Sequence, residues 1–433
     1  MSTICVHGLG YIGLPTAAMF ANYDHTVYGY DTSEQIVTQL ERGEIHIDEP
    51  GLRAFVTQAL ESGNLQITDE VVPAKYHAIC VPTPFDTTTK KADLSYVESA
   101  AEAIVPHLRT GDTVILESTV PPGTTVELLP PILERSGLDA GSDFALVHCP
   151  ETVLPGNIIT ELQQNDRIIG GVNGVSTEAA MRLYESFVEG EIRMTADATT
   201  AEFVKLIQNT FRDANIAIAN EIAKLAHDYG VDSREAIELA NAHPRVDLHQ
   251  AGPGVGGHCL PIDPWFLGQN SDRLDLIAHA RTVNDGMVDY VIDLVEEGLG
   301  TLAGKRVAIM GVAYKGNVDD TRMSPGLALA RQLQKRETTT GDAIAADGGV
   351  DGDSPPEIRL HDPHVEDQTI DLQPLETALQ GVDAVVFATD HDEYAELSPD
   401  VVPAEPDGRL VVDTKGILDE REWRESDHTL VRI

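Results

Sequence analysis

Residues 3 to 31 constrain the fold more than any other part of the chain. The apolar run Ile4-Cys5-Val6-His7 leads into Gly8-Leu9-Gly10-Tyr11-Ile12-Gly13. An apolar stretch of helical length follows, and Thr26-Val27-Tyr28-Gly29-Tyr30 closes on Asp31. Strand, glycine turn, helix and strand in that order predict a βαβ unit of a parallel sheet. The glycines permit a tight turn and let a pyrophosphate approach the helix N-terminus. Asp31 is placed to accept hydrogen bonds from ribose hydroxyls and to repel a 2′-phosphate, so the turn predicts NAD rather than NADP. The alternative is a plain packing turn.

Further apolar strands are expected at 78–81, 113–116 and 144–148, extending a parallel, doubly wound sheet. Between 198 and 230, Phe203, Ile207, Phe211, Ala214, Ile218, Ile222, Leu225 and Tyr229 follow steps of three or four. They predict one long helix whose apolar stripe is core or subunit interface. Lys205, Asn209 and Arg212 fall on roughly the opposite face. A second unit begins at Arg306-Val307-Ala308-Ile309-Met310. Its turn, Gly311-Val312-Ala313-Tyr314-Lys315-Gly316, reads as a degenerate echo of the first, with strands expected at 358–361, 384–388 and 410–413. The Gly-, Thr- and Asp-rich stretch 337–356 reads as a solvated insertion. The expected fold is α/β, with two Rossmann-like doubly wound domains joined by a long central helix. The expected division is an NAD-binding domain at 1–197, a central helical and dimerisation region at 198–300, and a second nucleotide-type domain at 301–433.

Composition limits the partners. The 433 residues carry 71 Asp+Glu against 30 Lys+Arg, a formal charge of −41, which disfavours nucleic acid and anionic membrane surfaces. Hydrophobic residues make up 42%, enough for real cores. An acidic surface with only 9 lysines suggests adaptation to high salt. No stretch approaches a membrane span, and the N-terminus runs straight into a strand without a charged leader, so a cytoplasmic location is expected. Cys5, Cys80, Cys149 and Cys259 show neither paired nor metal-ligand spacing, so no disulfide framework and no metal site is expected. Three fall in apolar strand-like runs. Cys259 instead ends the run Gly252-Pro253-Gly254-Val255-Gly256-Gly257-His258, where it is either a nucleophile or a small buried residue in a tight turn. Lys205, Lys315 and Lys415, with Arg245 and Arg322, could form a cationic pocket for a phosphate-bearing substrate.

Seven further motifs stand in a characteristic order. They are Arg42-Gly43-Glu44-Ile45-His46-Ile47, Val81-Pro82-Thr83-Pro84-Phe85, Leu116-Glu117-Ser118-Thr119, Val153-Leu154-Pro155-Gly156, Asn165-Asp166-Arg167 and Asn241-Ala242-His243-Pro244-Arg245-Val246. The last is the glycine run through Cys259 to Asp263-Pro264-Trp265-Phe266. Through them the chain resembles the UDP-glucose/GDP-mannose dehydrogenase family end to end, and most of all its branch acting on UDP-N-acetyl-D-mannosamine.

The resemblance implies a four-electron oxidation of a primary alcohol to an acid, with two NAD per substrate. Cys259 would carry a thiohemiacetal and then a thioester. Lys205 would transfer protons and Asn209 would polarise the same oxygen. Asp263 would order water or hold Lys205, while Glu151 and Thr119 would position the water and the reacting carbon. The cofactor would rest on Gly8, Gly10, Tyr11, Ile12 and Gly13, with Asp31 on the ribose, Thr83 and Thr119 by the nicotinamide and Arg322 on a phosphate. Besides Lys205 and Asn209, the UDP-sugar would meet Thr152, Val153, Arg212, His243, Arg245, Gly254, Tyr314, Lys315 and Lys415, with Arg245 supplied by the neighbouring subunit of a homodimer or higher homo-oligomer. The UDP-sugar would be bound by the third region, in a pathway of polysaccharide or glycan synthesis. One departure stands out: Thr152 follows Cys149-Pro150-Glu151 where the N-acetyl-sugar branch has arginine, which keeps UDP-glucose and UDP-N-acetylglucosamine open as substrates.

Overall fold

The computed structural model describes residues 1–335, 355–402 and 409–433. The expected insertion at 337–356 therefore lies, but for its last two residues, outside the described residues. The chain forms two compact units: Met1–Gln208 with Trp265–Arg273, and Asn209–Pro264 with Leu274–Ile433. No helix among the described residues is long and apolar enough to cross a membrane.

The first unit is built on β1 (Thr3–His7), β2 (Thr26–Tyr30), β3 (Leu65–Thr68), β4 (Tyr76–Ile79), β5 (Phe85–Asp86), β6 (Lys91–Ala92), β7 (Thr113–Leu116), β8 (Ala145–His148), β9 (Arg167–Gly171) and β10 (Ile192–Met194). Eight of them form one sheet in the order β10-β9-β8-β7-β4-β1-β2-β3, while β5 and β6 pair as a small hairpin. Ile4, Val6, Ala78, Ile115 and Val147 belong to one core, together with the helices Gly13–Asn22, Leu52–Glu61 and Gly174–Tyr184. Ile79, Val114, Leu116 and Leu146 belong to the other, with the helix Ser95–Ile104. Each large apolar side chain so buried contributes about 1.5–3 kcal/mol, and helices on both faces make the sheet doubly wound.

The expectation of an all-parallel sheet needs correction at one edge, because β8 and β9 are antiparallel. The helix between them, Ile158–Gln164, packs on Gly13–Asn22. The chain therefore returns from the end at which β8 leaves instead of crossing over the sheet, and an antiparallel neighbour needs no crossover.

In the second unit, β11 (Arg306–Met310), β12 (Glu357–His361), β13 (Ala384–Phe387), β14 (Leu410–Asp413) and β15 (Thr429–Arg432) form a parallel sheet in the order β12-β11-β13-β14-β15. Met287–Leu299 and Pro325–Lys335 cover one face, and Trp423 lies in the core on the other.

The second turn does echo the first, but in a different register. Gly8 and Gly311 both have positive φ, 90° and 99°, and both donate to the end of the neighbouring strand at 2.8 Å. The glycine that packs its helix onto that turn is Gly13 in the first unit and Gly326 in the second. A Cβ on either would stand 1.9 or 2.2 Å from the carbonyl oxygen of Gly8 or Gly311. Gly316 packs instead against Asp390, so residues 312–324 are an excursion between strand and helix.

Asp362 ends β12 as Asp31 ends β2, but the fold itself occupies its carboxylate. Val312 N, Ala313 N and His391 Nε2 donate to Oδ2 at 2.7, 2.9 and 3.0 Å. Burial alone would raise its pKa; the hydrogen bonds from His391 and the backbone outweigh burial and hold it at about 2. A depressed carboxyl stabilises the fold above its unfolded pKa, and that contribution is lost as pH falls from 3.8 toward 2. Asp362→Asn is expected to lower the melting temperature at neutral pH and to narrow the gap to wild type over that acid window in a pH series of melts.

The helix Ala198–Tyr229 is continuous over 32 residues, and its buried face mixes small apolar with polar residues. The residues it buries include Ala198, Ala201, Glu202, Asn209, Asp213, Ala217, Ala219 and Asn220. The apolar stripe is mostly not core, although Ala214 and Ile222 are half-buried and Ile222 packs against the core of the second unit. Exposure runs from 43% at Ile207 through Phe203, Ile218, Leu225 and Phe211 to 81% at Tyr229. The buried polar residues are paired: Asn220 Nδ2 donates to Asn284 at 2.9 Å, and Asp213 is paired with Arg281.

Candidate active site

In the first unit the glycine turn leaves room for a ligand. No atom lies within 4 Å of a Cβ built on Gly10, whereas one on Gly8 would meet the Cys80 carbonyl oxygen at 2.8 Å. The helix that follows has no side-chain cap and no acid in its first turn, so its orphan N–H groups and positive dipole end suit an anion. Half-buried Asp31 accepts from Leu9 N and Ser33 N, both at 2.8 Å. It thereby braces the turn and keeps acceptor capacity for a diol. Together these residues fit a dinucleotide: Gly8, Gly10 and Gly13 shape the cradle, and Tyr11, Ile12 and Asp31 border it. Tyr11 donates to buried Glu49, which also accepts from Gly156 N at 2.7 Å. Thr83 is buried and donates to the Thr119 carbonyl at 2.8 Å.

At the ends of β7 and β8 a buried polar cluster forms. Glu151 accepts from Val153 N at 2.6 Å through Oε2, while its Oε1 stands 3.9 Å from Arg167 Nη1. Glu117 accepts from Tyr184 and from Cys80 Sγ; burial raises its pKa and Arg167 opposes the rise. Thr152 is half-buried, and its carbonyl accepts from Asn165 Nδ2 at 3.5 Å. Lys205 is half-buried near His148, a fully buried imidazole held at about 3 by burial and the Lys205 charge, and so neutral at physiological pH.

In the second unit Asn209 and Asp263 are both buried, and Asn209 Nδ2 donates to Asp263 Oδ2 at 2.6 Å. Cys259 is the exposed cysteine, and its carbonyl accepts from Ile262 N and Asp263 N at 3.0 and 2.8 Å. The glycines before it are needed for close approach. A Cβ on Gly256 would stand 2.6 Å from the Met323 carbonyl oxygen, and one on Gly257, with φ at 87°, 2.8 Å from the Tyr314 ring. This seats Tyr314 and Arg322 in electrostatic range of Cys259. Burial, then Asp320 and Cys259, raise the Tyr314 pKa. Arg322 is fastened to Asp320 through Nε at 2.9–3.0 Å.

Gly254, with φ at 128°, lines a cavity of about 230 Å³ with Ser324, Pro325 and Arg331. Lys415 pairs with Asp390 at 3.3 Å, and Gly252 packs on its stem. Arg212 is half-buried, while Lys315, His243 and Arg245 are exposed, the last two joined by a 3.3 Å bond from Arg245 N to His243 Nδ1.

Cys5, His7 and His77 bring possible metal ligands within 4.8 Å of one another. His7 Nε2 and His77 Nδ1 already share a 3.1 Å hydrogen bond, and burial pushes the Cys5 thiol up to about 11. Burial also lowers the pKa of both imidazoles, so the three groups are neutral as they stand. Sequence reasoning missed Glu49, His148, Glu202 and Asp320. Only Glu202 carries a local signal, its position one turn before Lys205.

A sheet with an open glycine turn and an acid at the end of its second strand, a second nucleotide-type sheet and a loop-borne cysteine fit an NAD-dependent dehydrogenase with two nucleotide-binding units. Comparison with known proteins agrees. Profiles of the UDP-glucose/GDP-mannose dehydrogenase family match residues 2–188 (NAD binding domain), 199–286 (central domain) and 308–420 (UDP binding domain). A UDP-N-acetyl-D-mannosamine dehydrogenase of Methanococcus maripaludis is 41% identical, over 99% of this chain and 96% of the relative. An NDP-N-acetyl-D-galactosaminuronic acid dehydrogenase of Ralstonia nicotianae is 40% identical, over 96% of each. The solved UDP-D-ManNAc dehydrogenase of Pyrococcus horikoshii superposes with a TM-score of 0.89 at 40% identity, over 100% of this chain and 99% of that one. The chain belongs to the UDP-glucose/GDP-mannose dehydrogenase family, whose members are NAD-dependent nucleotide-sugar dehydrogenases.

Proposed function

We propose that the chain oxidises the C6 primary alcohol of UDP-N-acetyl-D-mannosamine to the uronate in two successive two-electron steps, consuming two NAD. Relatives bearing that activity in their names, matching end to end at 41% identity, support the substrate. The observation that carries the four-electron chemistry is the exposure of Cys259 on its glycine loop while the other three cysteines are buried.

Bound in the first turn, NAD accepts one hydride in each oxidation. Lys205 takes the hydroxyl proton, and Asn209 polarises the same oxygen. Asp263, accepting from the Asn209 amide, fixes the direction of that amide and orders the hydrolytic water. The Cys259 thiolate adds to the aldehyde carbon. Loss of the second hydride from the thiohemiacetal leaves a thioester, and water releases the acid and the thiol. Glu151 and Thr119 position the water and the reacting carbon. Thr83 is assigned to the nicotinamide side and Arg322 to a cofactor phosphate. Thr152, Val153, Arg212, His243, Arg245, Gly254, Tyr314, Lys315 and Lys415 are assigned to the sugar nucleotide, with functional regions at 1–197, 198–300 and 301–433.

Purified protein in molar salt is expected to turn over UDP-N-acetyl-D-mannosamine with two NADH per sugar. Thr152 sustains the second reading: turnover only with UDP-glucose or UDP-N-acetylglucosamine would replace the substrate and leave the chemistry.

The exposed stripe of the long helix supports a homodimer, since soluble monomers seldom show so continuous an apolar face. Phe211→Glu with Leu225→Arg is expected to halve the sedimenting mass; a wild-type chain already monomeric at micromolar concentration counts against pairing. The charge of −41 supports a salt-adapted enzyme, whose melting temperature is expected to fall on desalting, and we take its location to be the cytoplasm.

A further inference from the structure

We propose that Glu202 is a positioning residue whose carboxylate locks the turn carrying Thr119 to the helical turn carrying Lys205. Its Oε2 accepts from Gly123 N at 2.6 Å, and its Oε1 accepts from Thr125 N at 2.7 Å and Thr125 Oγ1 at 2.6 Å. Glu202 is 1% exposed and Thr125 fully buried. Lys205 lies three residues further along the same helix, about 4.5 Å along its axis.

The tied segment is stiff. Ser118 Oγ donates to the Val81 carbonyl at 2.7 Å, Thr83 to that of Thr119 at 2.8 Å, and Thr124 Oγ1 to that of Pro121 at 2.6 Å. Pro121 and Pro122 further limit its backbone. One carboxylate therefore closes a frame in which Thr83, Thr119 and Lys205 hold fixed relative positions.

An apolar residue could fill the same space and keep the two segments packed. It could not set their register, because dispersion contacts are not directional, whereas three short hydrogen bonds to two fixed oxygens are. The Thr125 and Gly123 bonds lower the pKa of this carboxyl, but burial outweighs them and leaves it raised to about 7. A group so unfavourably placed for burial is retained where its geometry is used, and reacting groups must be held to within about half an ångström.

The inference rests on the roles given above to Thr119 and Lys205. Glu202→Gln presents one carbonyl oxygen and an NH₂ group to three donors, so one N–H loses its acceptor. The expected result is a 10- to 100-fold fall in kcat per folded chain, with KM for the UDP-sugar and Kd for NADH (by fluorescence quenching) within about threefold of wild type. Thr125→Val removes only the hydroxyl bond at nearly constant volume and is expected to lower kcat about three- to tenfold with the same unchanged KM and Kd. It decides the matter if Glu202→Gln fails to fold. If melting temperature falls while kcat per folded chain stays within twofold, Glu202 is merely structural and the proposal is overturned. Absence of turnover in the wild type would overturn the proposed reaction, a different outcome.

Discussion

Cys259→Ser is expected to abolish acid formation, lowering steady-state turnover by at least about a thousandfold, with no more than one NADH released per sugar consumed. An aldehyde carbon bears no hydroxyl whose electron pair can drive out a second hydride, and serine at neutral pH is too weakly ionised to supply a tetrahedral adduct. The remaining thiols cannot substitute. Burial raises Cys5 to about 11, Cys149 to about 12 and Cys80 well above its ordinary value. Cys80 is further held protonated by Glu117, to which it donates. The measurement is NADH stoichiometry with mass analysis of the sugar product. Two NADH per sugar from the serine variant would show acid forming without a thioester and would remove Cys259 from the chemistry.

Features encoded within a few neighbouring residues are legible in the sequence alone. The first turn is one, because strand, glycines, helix and acid are contiguous and each residue type has its own geometric reason. Cys259 stands out for the same cause: a cysteine ending a glycine run is presented locally. What depends on distant partners is not legible. The stripe of the long helix has unmistakable periodicity, yet periodicity says that a face exists and not what covers it. Here the buried face is the one with Glu202, Asp213 and Asn220, whose polar atoms are paired with residues 32 to 79 positions away. The register of the second turn is hidden because Gly316 mimics a spacing, while the packing role belongs to Gly326 across an excursion that no local pattern marks. Glu202 reads in sequence as one more acid on a helix in a chain with 71 of them. Its significance lies in the three donors that meet it.

The two glycines of the first turn should respond oppositely to the same methyl group. At Gly13 the new Cβ would stand 1.9 Å from the Gly8 carbonyl oxygen, a backbone atom that cannot move without shifting β1 or the helix. Gly13→Ala is therefore expected to destabilise the first unit by about 3 kcal/mol or more, at the upper end of what overpacking costs. Thermal melts should show it with or without nucleotide. At Gly10 the methyl meets no atom within 4 Å, so Gly10→Ala should melt within a degree or two of wild type. Its methyl would occupy the space through which a pyrophosphate approaches the helix end, and NADH affinity is expected to fall at least tenfold. If Gly10→Ala bound NADH normally, the open space at that glycine would not be where the cofactor lies. If Gly13→Ala were fully stable, the close helix–strand contact would not be what that glycine provides. The pair thus separates the two reasons for glycine that one fingerprint combines, room for a ligand and room for the chain itself.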